Sequence, residues 1–406
     1  MPDMIFVSLE NWDEVWRRNQ FFCANLVRRF PEMKLLFVAL PFDVSHELRH
    51  GRVRKLWRPM EWGVPGYPNI AVIHPLKLLP NSLTICRKAN EWSARVHIRA
   101  AARRLGIRKP ILWLNPHGAM HMAGRMSEKC VIYDITDDWT LQQTLPTRER
   151  SLTEKQDRAL CRRADMVVVC SEALLRSRKP LCKRIALIKN GVDVKHYESV
   201  RTAPASRAWA SPVFGYTGTL HSERTDARLL IALAKAYPEG SVVLVGPDHL
   251  TDTDRQHIRK ERNVHATGPV PYARIPEVMA QFDVCIVPHL ETAFIDSLNP
   301  IKLWEYLAAG KPIVSTNIAG FREYGHLCRI ASGPDAFVTA CGEVLVEDNA
   351  LVDARISEAS RHTWDARVDE LLSIMGEANL IPERAAEVKS PVGGGGGDKW
   401  NWWKSK

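Results

Sequence analysis

Short β-branched or apolar runs alternate along this chain with segments of helical period, and the series runs through twice. The first passage reads MIFVSL, a helix from about Asn11 to Phe30, KLLFVAL, then IAVIHP, PILWLNP, CVIYDI, MVVVCS and IALIKN. After a Pro/Ala/Ser-rich stretch near 201 to 212 it restarts with VFGYTG, a helix from about Asp226 to Tyr237, SVVLVGP and NVHATG. A helix from about Ile275 to Gln281, VCIVPH, a helix from Pro300 to Ala309, and PIVST complete it. Strands that alternate with helices build βαβ units and parallel sheets buried on both faces. The expectation is an α/β chain of two tandem Rossmann-like, doubly wound domains, whose ligands bind at the carboxyl ends of the strands in a cleft between them. Boundaries fall at 1–195 and 196–362, followed by a closing helix at 363–378 whose first part, Thr363 to Met375, reads TWDARVDELLSIM. Residues 379–406 form a flexible tail, in which five glycines lead to Trp400, Trp402 and Trp403. That end reads either as an interfacial anchor or as a tail without a role in the fold.

The 406 residues, 45% of them apolar, suffice for two full cores, and no uninterrupted apolar run is long enough to span a bilayer. The N-terminus carries acids where an export signal carries positive charge, so a cytosolic protein is expected. Nine cysteines, an odd number without a C-x-x-C pair, are expected to be reduced and to serve packing, and zinc-type spacing is missing. The net charge of +10 is uneven: residues 1–200 carry 34 Lys and Arg against 20 Asp and Glu, and the remainder 22 against 26. The excess gathers in His46 to Met60 and in Arg87 to Lys109, the latter around Trp92. Cations beside tryptophan suit an anionic membrane surface. A solvated basic face is the alternative, and no nucleic-acid-binding pattern is present.

The segment SLNPIKLWEYLAAGKPIV is the most informative. Asn299 reads as an N-cap, Pro300 as the first helical residue and Gly310 as the stop. Lys302 and Glu305, three apart, share a face near the helix start. Free N–H groups, the helix dipole and an ammonium make a diphosphate site, and Glu305 is placed to accept from two vicinal hydroxyls, as on a ribose. An i, i+3 ion pair on an ordinary surface helix is the other reading. The turn through Gly215, Tyr216, Thr217, Gly218 and Thr219 can present amides to phosphates or be no more than a turn.

These segments resemble the GT-B glycosyltransferases. KNGVDV (Lys189 to Val194) is similar to that group's interdomain junction. FGYTGTLHSERTD, NVHATGPVPYARIPEVMAQFDVCIVPH and SLNPIKLWEYLAAGKPIVST followed by NIAGF are similar to its donor-binding half, in the same order. Within the group the chain resembles the membrane-associated transferases of bacterial exopolysaccharide and teichuronic-acid pathways, the xanthan glucuronosyltransferase among them. The resemblance implies Lys302 on the nucleotide diphosphate, Glu305 near the ribose, and the base near Gly246 and Asp248. One departure is Ser297, which stands where many retaining members carry the first Glu of a pair with seven residues between them, Glu305 being the second; Asp296, adjacent, is the carboxylate that can stand in for it.

On the acceptor side, VIYDI runs into Thr136, Asp137, Asp138 and Trp139. A carboxylate there can deprotonate a sugar hydroxyl as it attacks, and the resemblance makes Asp137 the catalytic base. Alternatively, Thr136 or Asp137 caps a helix beginning at Trp139. His117, in NPHG, is a further candidate or a structural histidine. Arg17, Arg18 and Asn19 resemble an Arg-rich stretch that contacts a phosphate, or else form a solvated helix face; Asp138 is a possible acceptor contact.

The expected activity is transfer of a sugar from a nucleotide-diphosphate donor, UDP-linked by preference, to a lipid-linked or polysaccharide acceptor in cell-surface polysaccharide synthesis. No metal or other cofactor is obligatory in this expectation, and the protein sits peripherally on the inner face of the cell membrane. The alternatives are a nucleotide-sugar epimerase of GT-B shape and a catalytically inactive sugar-nucleotide-binding scaffold.

Overall fold

The computed structural model describes residues 1–44, 61–81, 83–142, 146–202, 207–347 and 350–389, with Glu61 and Trp62 as backbone only. The basic stretch His46 to Met60 and the tail tryptophans lie outside the described residues. The chain divides into two compact units, one of residues 1–189 together with the segment from Arg367, the other of residues 190–366.

In the first unit, the strands are β1 (Met4–Val7), β2 (Leu35–Val38), β3 (Glu61–Val64), β4 (Tyr67–Ile73), β5 (Ile111–Leu114), β6 (Cys130–Ile135), β7 (Met166–Val169) and β8 (Ile185–Leu187). They form one sheet in the order β8-β7-β6-β5-β1-β2-β4-β3. Neighbours are parallel except β3 and β4, a hairpin without counterpart in the sequence reading, which turns through Gly66 at φ +81°. The sheet is buried on both faces, as its apolar runs require. Ile5, Val7, Leu36, Leu112 and Leu114 join a core with Ile98 and Ala101 of α2 (Thr84–Arg104). On the opposite face Phe6 stacks between Phe37 and Trp113, at 5.7 and 5.6 Å between centroids, and Phe22 of α1 (Arg18–Arg29) tilts against Trp113.

Helix α1 starts at Arg18, not near Asn11. Trp12 and Trp16 explain the difference: they pack edge-on against Phe37 and Phe21, while Asp13 accepts from the Val15 N–H and Gln20 from the Arg17 N–H. Such local bonds offer the backbone an alternative to helix. Residues 8–17 are therefore a loop at the carboxyl end of β1.

The second unit has β9 (Val213–Thr217), β10 (Ser241–Val245), β11 (Val264–Gly268), β12 (Val284–Val287), β13 (Ile313–Ser315) and β14 (Arg329–Ile330) in one parallel sheet of order β11-β10-β9-β12-β13-β14. This is the 3-2-1-4-5-6 winding of a dinucleotide-binding sheet, with its switch point between β9 and β12. In the first unit the order switches between β1 and β5. Both switch points predict a ligand crevice beyond the carboxyl ends of those strands. No helix among the described residues is long and apolar enough to cross a membrane.

Candidate active site

At the β9/β12 switch point of the second unit, the chain places Lys302 over two glycines. Helix α5 (Ala227–Ala236) follows β9, and helix α6 (Ile301–Ala308) begins after Pro300 with no side chain capping its first turn. Asn299 is not the N-cap: its Oδ1 accepts from the Asn190 N–H at 2.8 Å and its carbonyl from Asn190 Nδ2 at 2.5 Å, so its acceptors are committed elsewhere. The first N–H groups of α6 are left for an anion. Lys302 Nζ lies 5.1 Å from the centre of the Tyr216 ring. Below it the strand ends cross tightly: a Cβ at Gly246 (φ +147°) would stand 2.2 Å from the Gly218 carbonyl oxygen, and one at Gly218 (φ +139°) 2.4 Å from Lys302 Cε. Only glycine at both positions admits this backbone and this lysine.

The surrounding groups hold the site in place. Tyr306 on α6 receives the Thr217 N–H at 2.9 Å and binds strand to helix. Tyr216 donates to the carbonyl of half-buried Thr219 at 3.3 Å and meets His289 Nε2 at 3.2 Å. With Tyr216 donating to Thr219, neutral His289 donates through Nε2, and its buried Nδ1 has no hydrogen-bond partner. Burial, then the charges of Lys302 and Arg224, push His289 well below the usual histidine range. His221 is pushed down to about 4 by burial, then chiefly by Arg224 and His249. The imidazoles stay neutral, so the positive field comes from Lys302, Arg224 and the helix end. Sequence reading named Tyr216 only as part of a turn and missed Arg224 and His289; the position of His289 two residues past the end of β12 was the available signal.

Glu305, one turn below Lys302, is half-buried; burial raises its carboxyl, offset in part by Lys302 and the Tyr197 hydroxyl. Ser297 is buried and donates to the Phe294 carbonyl at 2.6 Å. Asp296 is occupied by the Ala319 N–H and by Arg322. Asp248 is paired with Arg255 and accepts from the Leu250 N–H, which holds its carboxyl below the usual range.

In the first unit the residues around β1, β5 and β6 come together. Asp137 follows β6, half-buried, and accepts from the Thr136 hydroxyl at 3.2 Å. The cap of the short 3₁₀ turn Trp139–Leu141 is Asp138, which accepts from the Thr140 N–H, so neither Thr136 nor Asp137 is spent on it. Asp138 is buried and also paired with Arg178 at 2.6 and 2.9 Å, and Arg178 reaches Asp157 at 2.9 Å. That network connects α4 (Glu172–Arg178) to α3 (Thr147–Arg163) and commits Asp138 to structure. Arg18 is likewise buried and ion-paired with Asp134 at 3.2 Å. Arg17 faces Glu10 at 3.7 Å and Asp13 at 3.3 Å. Asn19 donates to Ser8 and Asn115. His117 opens the 3₁₀ turn His117–Met122, its imidazole pushed down by burial.

Residues 211–347 match the family model described as Glycosyl transferases group 1. Over 284 residues the chain is 25% identical to a Bacillus subtilis (strain 168) protein that carries the name of a teichuronic acid biosynthesis glycosyltransferase, TuaH; the match covers 65% of this chain and 71% of that one. Among solved structures, sucrose-phosphate synthase from Thermosynechococcus elongatus superposes with a TM-score of 0.68 at 15% identity, over 94% of this chain and 100% of that one. Anabaena Alr3699/HepE, solved with UDP and glucose, gives 0.63 at 15% identity, over 94% and 100%. Two Rossmann-like sheets, a matched family over residues 211–347 and these relatives lead to one conclusion: the chain has the GT-B fold of glycosyltransferases, and its residues 211–347 are similar to the group 1 glycosyl transferases.

Proposed function

We propose that the enzyme transfers a glycosyl group from a UDP-sugar to a hydroxyl of a lipid-linked or polysaccharide acceptor during cell-surface polysaccharide assembly. The observation that carries this reading is Lys302, held over the Gly218/Gly246 crossing at the uncapped start of α6. Asp137 takes the acceptor proton while the acceptor oxygen bonds to the anomeric carbon and the bond from that carbon to the diphosphate oxygen breaks. The α6 N–H groups, Lys302 and Arg224 neutralise the departing diphosphate. Glu305 accepts from the ribose hydroxyls, and the base lies near Gly246 and Asp248. Among the similar structures, HepE has been solved with UDP and with UDP-glucose, and the name of the B. subtilis relative refers to teichuronic acid biosynthesis.

A peripheral position on the inner face of the membrane belongs to the same proposal. Along α2, Ile85 (75% exposed), Trp92 (63%) and Val96 (41%) recur at one-face spacing, preceded by Leu83 (62%). Lys88, Arg99 and Arg103 lie on the same side by helical spacing. Apolar side chains rimmed by cations suit an anionic bilayer surface.

Calorimetric titration with UDP, GDP, ADP and dTDP, on the wild type and on Lys302→Ala, tests the donor site. Selective UDP binding that weakens at least tenfold in the variant, about 1.4 kcal/mol, is expected. A folded wild type that binds none of them overturns the reading.

A further inference from the structure

At the amino ends of β6 and β7, in the first unit, lies a cavity of about 470 Å³ that none of the chemistry above uses. Its floor is where those strands begin: the Lys129 N–H donates to the Pro110 carbonyl at 2.8 Å, and Asp165 accepts from the Val131 N–H at 2.8 Å. Asp137 follows the other end of β6, so the length of that strand, roughly 17 Å, separates the cavity from the proposed base. Four exposed cations line it: Arg99 of α2, Arg125 and Lys129 of the loop before β6, and Arg163 in the last turn of α3. Glu128 and Asp165 are the acids beside them.

Both acids are committed to the backbone. Glu128 accepts from the Gly124 and Met126 N–H groups, the latter at 2.8 Å, and closes its own loop; Asp165 holds the start of β6. Exposed arginines elsewhere on this chain take an acid three or four residues away, as Arg158 takes Glu154, Arg274 takes Glu277 and Arg361 takes Glu358. Among the described residues, Arg99, Arg125, Lys129 and Arg163 form no ion pair. They are instead gathered together. Arg99 donates through Nε to the Arg125 carbonyl at 3.0 Å, and its Nη2 reaches the same oxygen. Arg163 lays its guanidinium against Gly124, whose φ of +74° and missing Cβ leave room for it. The field of these charges reaches their neighbours. Burial, then Arg125 and Arg99 against the opposing charge of Glu91, hold Arg95 below its usual range; burial, then Arg95 and Arg125, push His121 down to about 4.

Like charges converging on one cavity repel one another, so the arrangement favours an anion with more than one negative charge. Guanidinium groups offer planar pairs of donors that match the oxygens of a phosphate, whereas a neutral sugar would leave the charge uncompensated. We propose that this cavity is a binding site for a phosphate-bearing polyanion, separate from both the nucleotide and the base. Two sources share that chemistry. One is a soluble diphosphate; the other is an anionic lipid headgroup, since Arg99 follows exposed Trp92 by seven residues on one face of α2.

The test compares the whole wild-type protein with Arg125→Gln/Arg163→Gln, with Lys302→Ala, and with Arg148→Gln/Arg150→Gln, which loses the same charge at the exposed far end of α3. Each is titrated calorimetrically with sodium pyrophosphate, with and without saturating UDP, and floated with phosphatidylcholine vesicles containing phosphatidic acid. The cavity variant is expected to bind at least one probe at least fivefold more weakly, with UDP affinity unchanged and the far-end variant within about twofold of wild type. Weaker pyrophosphate binding with intact flotation assigns the site to a soluble phosphate compound, and weaker flotation assigns it to a headgroup. Equal losses in the two arginine pairs, no loss in the cavity variant, or a wild type that binds neither probe overturns the site. Pyrophosphate binding lost only in Lys302→Ala belongs to the donor site and counts against the cavity. Absence of UDP binding sinks the donor reading alone, because the nucleotide-free titrations and the flotation still decide the cavity.

Discussion

A Cβ placed on Gly218 would stand 2.4 Å from Lys302 Cε and 2.6 Å from its Nζ, so the lysine occupies space that every other residue at 218 would claim. Gly218 also sits at φ +139°, where L side chains are strained. Gly218→Ala therefore displaces Lys302 and is expected to weaken UDP binding at least tenfold, with the far-ultraviolet circular dichroism unchanged. Wild-type affinity in that variant would separate Lys302 from the nucleotide.

Tyr306 ties α6 to β9 through the buried Thr217 N–H. Tyr306→Phe removes the acceptor and leaves that N–H unpaired, which is expected to cost about 1–3 kcal/mol in urea unfolding.

Arg178 serves Asp138 and Asp157 together, and all three are buried. Arg178→Leu removes the cation that these two buried carboxylates share and is expected to destabilise the protein by about 3–5 kcal/mol. Asp137→Asn, one residue from Asp138, is expected to abolish transfer while shifting stability by less than about 0.5 kcal/mol. Parallel unfolding and product assays distinguish the structural acid from the chemical one.

Glu10 has its carboxyl raised to about 7, by burial first, against the opposing charge of Arg17 and with smaller increments from Asp137, Asp13 and Asp134. Its ordinary value is 4.5. The folded state therefore holds a proton that the unfolded chain has lost between these values, and stability falls as pH rises through that window. Glu10→Gln does not titrate: it should match the wild type near pH 4 and exceed it at pH 8 by up to about 3 kcal/mol. Urea midpoints across that range provide the check.

The exposed stripe on α2 gives a binding prediction. Ile85→Glu with Trp92→Glu is expected to lower co-sedimentation with phosphatidylglycerol-containing vesicles at least fivefold while leaving UDP affinity intact. Undiminished sedimentation removes α2 from the membrane surface.

The two parallel sheets were legible in the sequence because a strand buried on both faces must be a short continuous apolar run, and MIFV, ILWL, VFGYT and VCIV are such runs in order. Gly310 and Pro300 marked the ends of α6 for equally local reasons. What went unread depended on partners far along the chain. Asn299 has an N-cap's side chain, but Asn190 claims it from 109 residues away. Arg17, Arg18 and Asp138 read as free charges, yet in the structure they are paired with Glu10, Asp134 and Arg178. Asn11 to Trp16 have helical spacing, but two tryptophans find better burial against β2 and α1. Local pattern thus determined the elements and their order, since backbone geometry and the burial of alternate faces act within a few residues. Only the tertiary structure decided which polar side chains were consumed by packing and which, such as Glu10, Asn11 and Asn19, kept an oxygen without a donor, because a hydrogen-bond partner is chosen by proximity in space.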